Sequence, residues 1–253
     1  MVTFTGAKNV FIETEETDFI LTADQVKEKI TDKTKLLIVN SPSNPTGRVI
    51  PANEMRKIIE VCAEKGVYVI TDECYLFFVY PPNEVFSASV LPKELRDFVC
   101  VAGSFSKTYA MTGWRIGFLH APPEVWKQAS KVQGQVTSHP SSIAQKAALG
   151  AMLGAQHDVQ TMREVFCKRK ELICRLMSAI PAIAFAEPQG AFYVWADISR
   201  ILTKEIPSSA AFCEKLLADY HLALVPGEAF GEQGYIRLSF AASDEVITKA
   251  IER

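Results

Sequence analysis

The chain has 253 residues, 48% of them apolar and 22% charged, and its 27 basic and 29 acidic side chains leave a formal net charge of −2. That is ordinary globular composition with enough length to bury a substantial core. It leaves no excess of positive charge for nucleic acid or an anionic membrane, and no run of about twenty apolar residues that could span a bilayer. The six cysteines (Cys62, Cys74, Cys100, Cys167, Cys174 and Cys213) form no CxxC pair and read as reduced, mostly buried thiols of a cytoplasmic protein. The four histidines are isolated, so no zinc constellation is visible, and the opening VTFTGAKNVF lacks the apolar core of a signal peptide.

Along the chain, Thr22 and Gln25 stand three apart, the spacing of a capping box, and predict a helix over Thr22 to Ile30. KLLIVN (Lys35 to Asn40) reads as a buried strand. Pro51 to Lys65 predicts a helix with Met55, Ile58, Ile59 and Cys62 on one face, Pro51 near its first turn and Gly66 past its end. VYVIT (Val67 to Thr71) and FVCVA (Phe98 to Ala102) are further continuous apolar strands. Strand, helix, strand in this order predicts a mostly parallel α/β sheet with helices on both faces.

From about Ser141 the texture changes. Two helical stretches follow, the second over about Val159 to Ile180 with Met162, Phe166, Ile173, Leu176 and Met177 on its apolar side. Beyond Pro181 come a strand (Ala191 to Ala196), a helix (Ser208 to Asp219), two short strands (Leu222 to Val225, Tyr235 to Phe240) and a last helix. We expect residues 1–140 to form part of a large domain. Residues 141–253 should form a long connecting helix and a small C-terminal α+β domain. The pattern reads as a doubly wound sheet that starts in its middle, with no phosphate-binding loop ahead of its first strands.

Reactive groups in open α/β sheets gather at the carboxyl ends of the strands. Here those ends carry Ser41-Pro-Ser-Asn44-Pro-Thr-Gly47, Asp72-Glu-Cys-Tyr75 and Gly103-Ser104-Phe-Ser106-Lys107, with Arg115 eight residues further on. Together they supply what a pyridoxal phosphate needs. Lys107 offers an amine for a Schiff base. Asp72 would keep the ring nitrogen protonated, because an adjacent negative charge favours the cation. Tyr75 and Asn44 suit the phenolic oxygen. Ser104, Ser106 and Arg115 suit the phosphate, the arginine through its fork of donors.

Each residue alone has a blander reading: a solvated lysine, a helix-capping aspartate, an NPTG turn, a surface arginine. The joint pattern, in order at three strand ends, is what argues for the cofactor. Ser104-Phe-Ser-Lys107 also fits the S-x-x-K signature of serine β-lactamases, but no K-T-G follows and Ser243-Asp244 is followed by Glu, so that reading is rejected. Arg237, inside the apolar strand YIRLSF, is costly there unless paired. It is either an arginine on a solvent face or a bidentate clamp on a substrate α-carboxylate.

SPSNPTG, TDECY, SFSK followed by TGWRIGF, GAFYVW (Gly190 to Trp195) and YIRLSF together resemble the fold-type-I, class I aminotransferases. The stretches SKTYAMTGWRIGF and SSIAQKAALGAM look most like the bacterial aspartate aminotransferase branch. The resemblance covers essentially the whole chain and implies the PLP-dependent transferase fold and a homodimer. It implies Lys107 as the Schiff-base lysine, Asp72 as partner of the pyridine nitrogen, and Tyr75 and Asn44 as partners of the phenolate. Ser104 and Arg115 then become phosphate ligands and Arg237 the α-carboxylate arginine, with Asn44 near the substrate.

It also implies a further N-terminal stretch ahead of Met1, which we expect this polypeptide to lack, along with one wall of the pocket. The expected reaction moves an amino group between an α-amino acid, aspartate by resemblance, and a 2-oxo acid, 2-oxoglutarate by resemblance. The same residues serve β-elimination, decarboxylation or aminocyclopropane formation. A third possibility is a folded but catalytically incomplete scaffold.

Overall fold

The computed structural model describes residues 2–253. Its first half is a sheet of four strands in the order β1 (Leu36–Asn40), β2 (Tyr68–Asp72), β3 (Val99–Ser104) and β4 (Gly117–His120). The first three strands are parallel and β4 runs antiparallel to β3. Helix α1 (Ala23–Lys29) starts at the predicted capping box: the Gln25 amide donates to the Thr22 hydroxyl while the Thr22 amide donates to Gln25 Oε1. Helix α2 (Ala52–Glu64) buries the predicted Met55, Ile58, Ile59 and Cys62, with Pro51 as its N-cap. These two helices cover Val39, Val69, Val99 and Val101, one face of the sheet.

Coverage of the two sheet faces is unequal. Leu36 and Ile38 alternate with buried Val39 in β1 and are 42% and 49% exposed, and every residue of β4 is exposed. The fourth strand was not predicted. At Gly103 a Cβ would come within 2.1 Å of the Phe118 ring, so the bare backbone there gives Phe118 room to lie across β3.

Two short helices, α3 (Lys93–Arg96) and α4 (Phe105–Thr108), flank β3, and α5 (Pro123–Val136), also unpredicted, buries none of its residues. Helix α6 (Ser142–Gly154) packs Ala148 against Phe105 and Met111. Helix α7 (Gln156–Met177) begins earlier than expected and ends three residues sooner than Ile180. It buries Phe166, Ile173 and Met177, and Met162 and Leu176 pack against the same core.

The second sheet is antiparallel, ordered β5 (Ala184–Phe185), β6 (Tyr193–Asp197), β8 (Tyr235–Ser239) and β7 (Val225–Pro226). Val194, Ala196, Ile236 and Leu238 form one core with α7, with Cys213 of α8 (Ser209–Tyr220) and with Ile247 of α9 (Asp244–Glu252).

Two loops from the first half dock onto this second sheet. Tyr75, Phe78 and Tyr80, just past β2, belong to its core. Their backbone is tied by Ala191 N–H to Phe78 O (2.8 Å) and Tyr80 N–H to Gln189 O (2.9 Å). The loop after β1 accepts two amides, from Gln189 and Gly190, on Gly47 O, each at 2.9 Å. The ends of β1 and β2 are therefore held against the sheet that carries Arg237.

Candidate active site

Asn40, Asp72 and Ala102 stand in register at the ends of three parallel strands. Side chains finish the job of tying these ends together. Asn40 Nδ2 donates to Asp72 O (3.1 Å), and Asn40 Oδ1 accepts the amide of Asn44 (2.8 Å), which sets the loop that carries Asn44. Asp72 Oδ1 accepts the amide of Cys74 at 3.0 Å, a tight local turn. The Cys74 thiol is pushed up to about 12 by burial and then by the neighbouring Asp72, so it is a thiol and not a thiolate at neutral pH.

Alternation along β2 sends the next residue the other way. Glu73 is buried and holds the Ala88 amide (2.9 Å) and the Thr71 hydroxyl (3.1 Å), away from Asp72.

Tyr75 is buried, and its hydroxyl lies 2.7 Å from that of Tyr193 on β6. Burial first, and the bond to Tyr193 second, push the Tyr75 phenol well above its ordinary range. It is a neutral donor at any physiological pH.

β3 runs straight into α4. Ser104 caps that helix, its hydroxyl accepting the Ser106 amide at 3.0 Å. Lys107 projects its Nζ to 5.8 Å from the ring centres of both Tyr75 and Phe192. Among the described residues no carboxylate pairs with this amine. Arg115 lies in the left-handed region (φ 52°), is exposed, and donates from Nη1 to Thr112 O at 2.8 Å. Phe105 N–H to Ile116 O (3.3 Å) keeps its backbone beside the start of α4. No hydrogen bond among the described residues joins its guanidinium to either serine.

Arg237 sits opposite Trp195 of β6 and Val225 of β7. It lies on the sheet face that looks toward the strand ends of the first half. Nη1 donates to Asn44 Oδ1 at 2.7 Å, and the guanidinium carbon stands 4.4 Å from the Tyr193 ring centre and 5.1 Å from that of Phe230. Its Nε is buried with no partner among the described residues. A half-buried cation with a buried, free Nε donor, walled by aromatic rings, is costly unless an anion completes it.

The structure thus links Lys107, Tyr75, Asn44 and Arg237 through side chains, with Tyr193 as the connecting phenol and Asp72 one strand over. Ser104 and Ser106 are joined through the capping bond at the start of α4, and among the described residues no hydrogen bond joins Arg115 to either of them. Tyr193, Phe192 and Phe230 line this site without being singled out by the sequence. Strand alternation in GAFYVW could have found Tyr193, since it shares a face with Trp195, the partner of Arg237.

A mostly parallel sheet with polar residues at its strand ends thus faces an arginine on a second, antiparallel sheet, an α/β arrangement. The chain belongs to the aminotransferase class I and II family, whose model matches residues 1–253. It is 38% identical over 241 residues to the "Probable aspartate/prephenate aminotransferase" of Aquifex aeolicus (strain VF5), covering 94% of this chain and 61% of that protein. It is 38% identical over 254 residues to an aspartate aminotransferase of Bacillus sp. (strain YM-2), covering 100% of this chain and 65% of that one. The Thermus thermophilus aspartate aminotransferase solved with maleate superposes with a TM-score of 0.91 at 35% identity, over 99% of this chain and 64% of that chain. The chain therefore spans a little under two thirds of the length of these relatives.

Proposed function

We propose that this chain is the lysine-bearing part of a pyridoxal-phosphate aminotransferase that exchanges an amino group between aspartate and a 2-oxo acid, 2-oxoglutarate in the fullest form of this reading. The single observation that carries it is Arg237. It has a buried, unpartnered Nε, its Nη1 is held by Asn44, and it faces the Tyr193–Tyr75 pair beside Lys107. The relatives named as aspartate aminotransferases support the choice of substrate. Six unpaired cysteines suit a reducing, cytoplasmic setting, and the uncovered apolar side chains of α5 and α6 suit a homodimer. We place the division into parts at residues 1–140 and 141–253, with α7 as the connection, although α6 packs with the first part.

The donor set fits the cofactor. Lys107 is an amine with no carboxylate partner among the described residues, Asp72 is a carboxylate one strand away, and Tyr75 and Asn44 offer neutral polar atoms. Ser104, Ser106 and Arg115 would hold the phosphate. Bound there, the cofactor supplies an electrophilic carbon and a sink for the electrons of the breaking Cα–H bond.

The protein does the rest. Arg237 engages the α-carboxylate through its fork and fixes which Cα bond faces Lys107. Lys107 Nζ takes the Cα proton as a base and returns it as the conjugate acid. Tyr75, whose phenol is held neutral by burial, keeps its proton and can offer a hydrogen bond into the site. Asn44 steers both, because its side-chain oxygen is already engaged by Arg237.

The test is Lys107→Ala. Turnover of aspartate should fall by at least about a thousandfold, since general acid–base catalysis alone is worth ~10²–10⁴. The visible band formed with pyridoxal phosphate, and its loss on borohydride, should also vanish. A variant that turns over like the parent would sink this reading.

A further inference from the structure

The segment before α1 is strapped across the second sheet, and its contacts converge on the surroundings of Arg237. Trp195 lies directly across from Arg237, and Tyr235 precedes Arg237 by two residues on the same face. Their rings stack with centres 5.2 Å apart and planes within 5°. Phe19 sets its ring edge-on against both, 5.4 Å from Tyr235 and 6.3 Å from Trp195. Phe230 closes the far side, 5.7 Å from Trp195 and 5.1 Å from the guanidinium.

The strap is held in an unusual backbone. Asp18 and Phe19 are consecutive non-glycine residues with positive φ, 54° and 57°. Such a conformation persists only where surrounding contacts over-determine it. Here Arg48 does so. Its side chain is mostly buried, pairs with the Asp18 carboxylate, donates from Nε to Asp18 O (3.2 Å), and reaches Glu187 O from Nη1 (3.1 Å). Tyr235 adds a bond from its hydroxyl to Glu15 Oε1 at 2.9 Å. Arg48 lies four residues past Asn44 in one loop, closed by the Ser43 amide on Arg48 O at 2.9 Å. The group that anchors the strap is thus built into the loop that presents Asn44 to Arg237.

We infer that Phe19 is a positioning residue for Arg237: by wedging the Trp195–Tyr235 stack it holds Trp195 against Phe230, and so fixes one of the two rings against which the guanidinium adopts its carboxylate-binding pose. The inference rests on the reading of Arg237 as the carboxylate site. Without the Phe19 ring the stack loses its edge-on support, and Trp195, the cross-strand neighbour of Arg237, is free to shift against Phe230.

The experiment is a calorimetric titration with maleate, a dicarboxylate probe, beside a spectral titration with pyridoxal phosphate, on the full chain and three variants. Phe19→Ala and Phe19→Leu should each weaken maleate about fivefold, the scale of one or two aromatic edge contacts, and leave cofactor affinity unchanged. Phe19→Tyr, which keeps the ring, should restore the parent affinity. The leucine variant retains apolar bulk and guards against the alanine variant failing to fold.

Parent-like maleate binding in Phe19→Leu would overturn the inference. So would parallel loss of maleate and cofactor affinity, which is what a merely structural residue would give. A parent chain that binds no maleate, or an Arg237→Gln variant that binds it as well as the parent, overturns the carboxylate reading itself and the inference with it.

Discussion

The two sheets solve the same problem to different degrees. In the second, the strand segment Tyr193 to Ala196 is buried throughout, with α7, α8 and α9 on one side and the docked loops of the first half on the other. In the first, α1 and α2 seal one face, while Leu36 and Ile38 of β1 and Phe118 and Leu119 of β4 stay exposed on the rest. Arg237 is therefore held between the Tyr193 and Phe230 rings and Asn44, with its Nε left without a partner among the described residues. Lys107 and Arg115 sit where the sheet is closed on one face. A carboxylate clamp needs a fixed direction, and a deep, doubly covered sheet gives one.

The sharpest way to break this comparison is to truncate one buried ring. Phe240 is fully buried in the second core, against Tyr80 and Phe166. Phe240→Ala should cost about 3–5 kcal/mol in urea unfolding, the usual range for such a deletion. Ile38→Thr, on the open face of the first sheet, should change stability by no more than about 0.5 kcal/mol. Equal losses from the two would show that the first sheet is covered in solution and the contrast is false.

Much of this arrangement was legible in the residues. The capping box at Thr22, the buried stripe of α2 and the three parallel strands follow from local periodicity, and the structure keeps them within a residue or two. Arg237 stood out because a charge inside an apolar strand demands a partner. What stayed hidden depends mostly on tertiary contact. β4 is four exposed residues, and the bare backbone of Gly103 gives its Phe118 room. α5 buries nothing, yet Val125, Ala129, Val132 and Val136 recur at helical spacing, so this helix was open to reading. Tyr193 in an apolar strand reads as core, and Phe19 gains meaning only when a strap far away in sequence reaches Trp195. The strand after α8 slipped to Val225 because His221 ends that helix in the left-handed conformation and Leu222 folds back onto Leu216.

A subtler measurement sits at the seam between the two regions. Asp72 and Glu73 are adjacent carboxylates on opposite faces of one strand end, the first turned to the site and the second into the first core. Burial holds the Glu73 carboxyl above its ordinary value, outweighing the bonds from Ser87, Ala88 and Thr71, with the charge of Asp72 adding a smaller push in the same direction. A carboxyl whose folded pKa is raised is more easily protonated folded than unfolded. Its contribution to stability is therefore greatest below its unfolded pKa and is lost as pH rises through the folded one. Glu73→Gln keeps an oxygen for the Ala88 amide and never ionises. The difference in unfolding free energy between parent and variant should thus move in the variant's favour as pH climbs from below 4.5, the ordinary value, toward neutrality, and then level off. Denaturation curves at a series of pH values measure it directly. A difference that stays flat, or moves in the parent's favour, would mean that Glu73 is held as a stabilised anion and that the strand end is organised by charge and not by the packing of the first core.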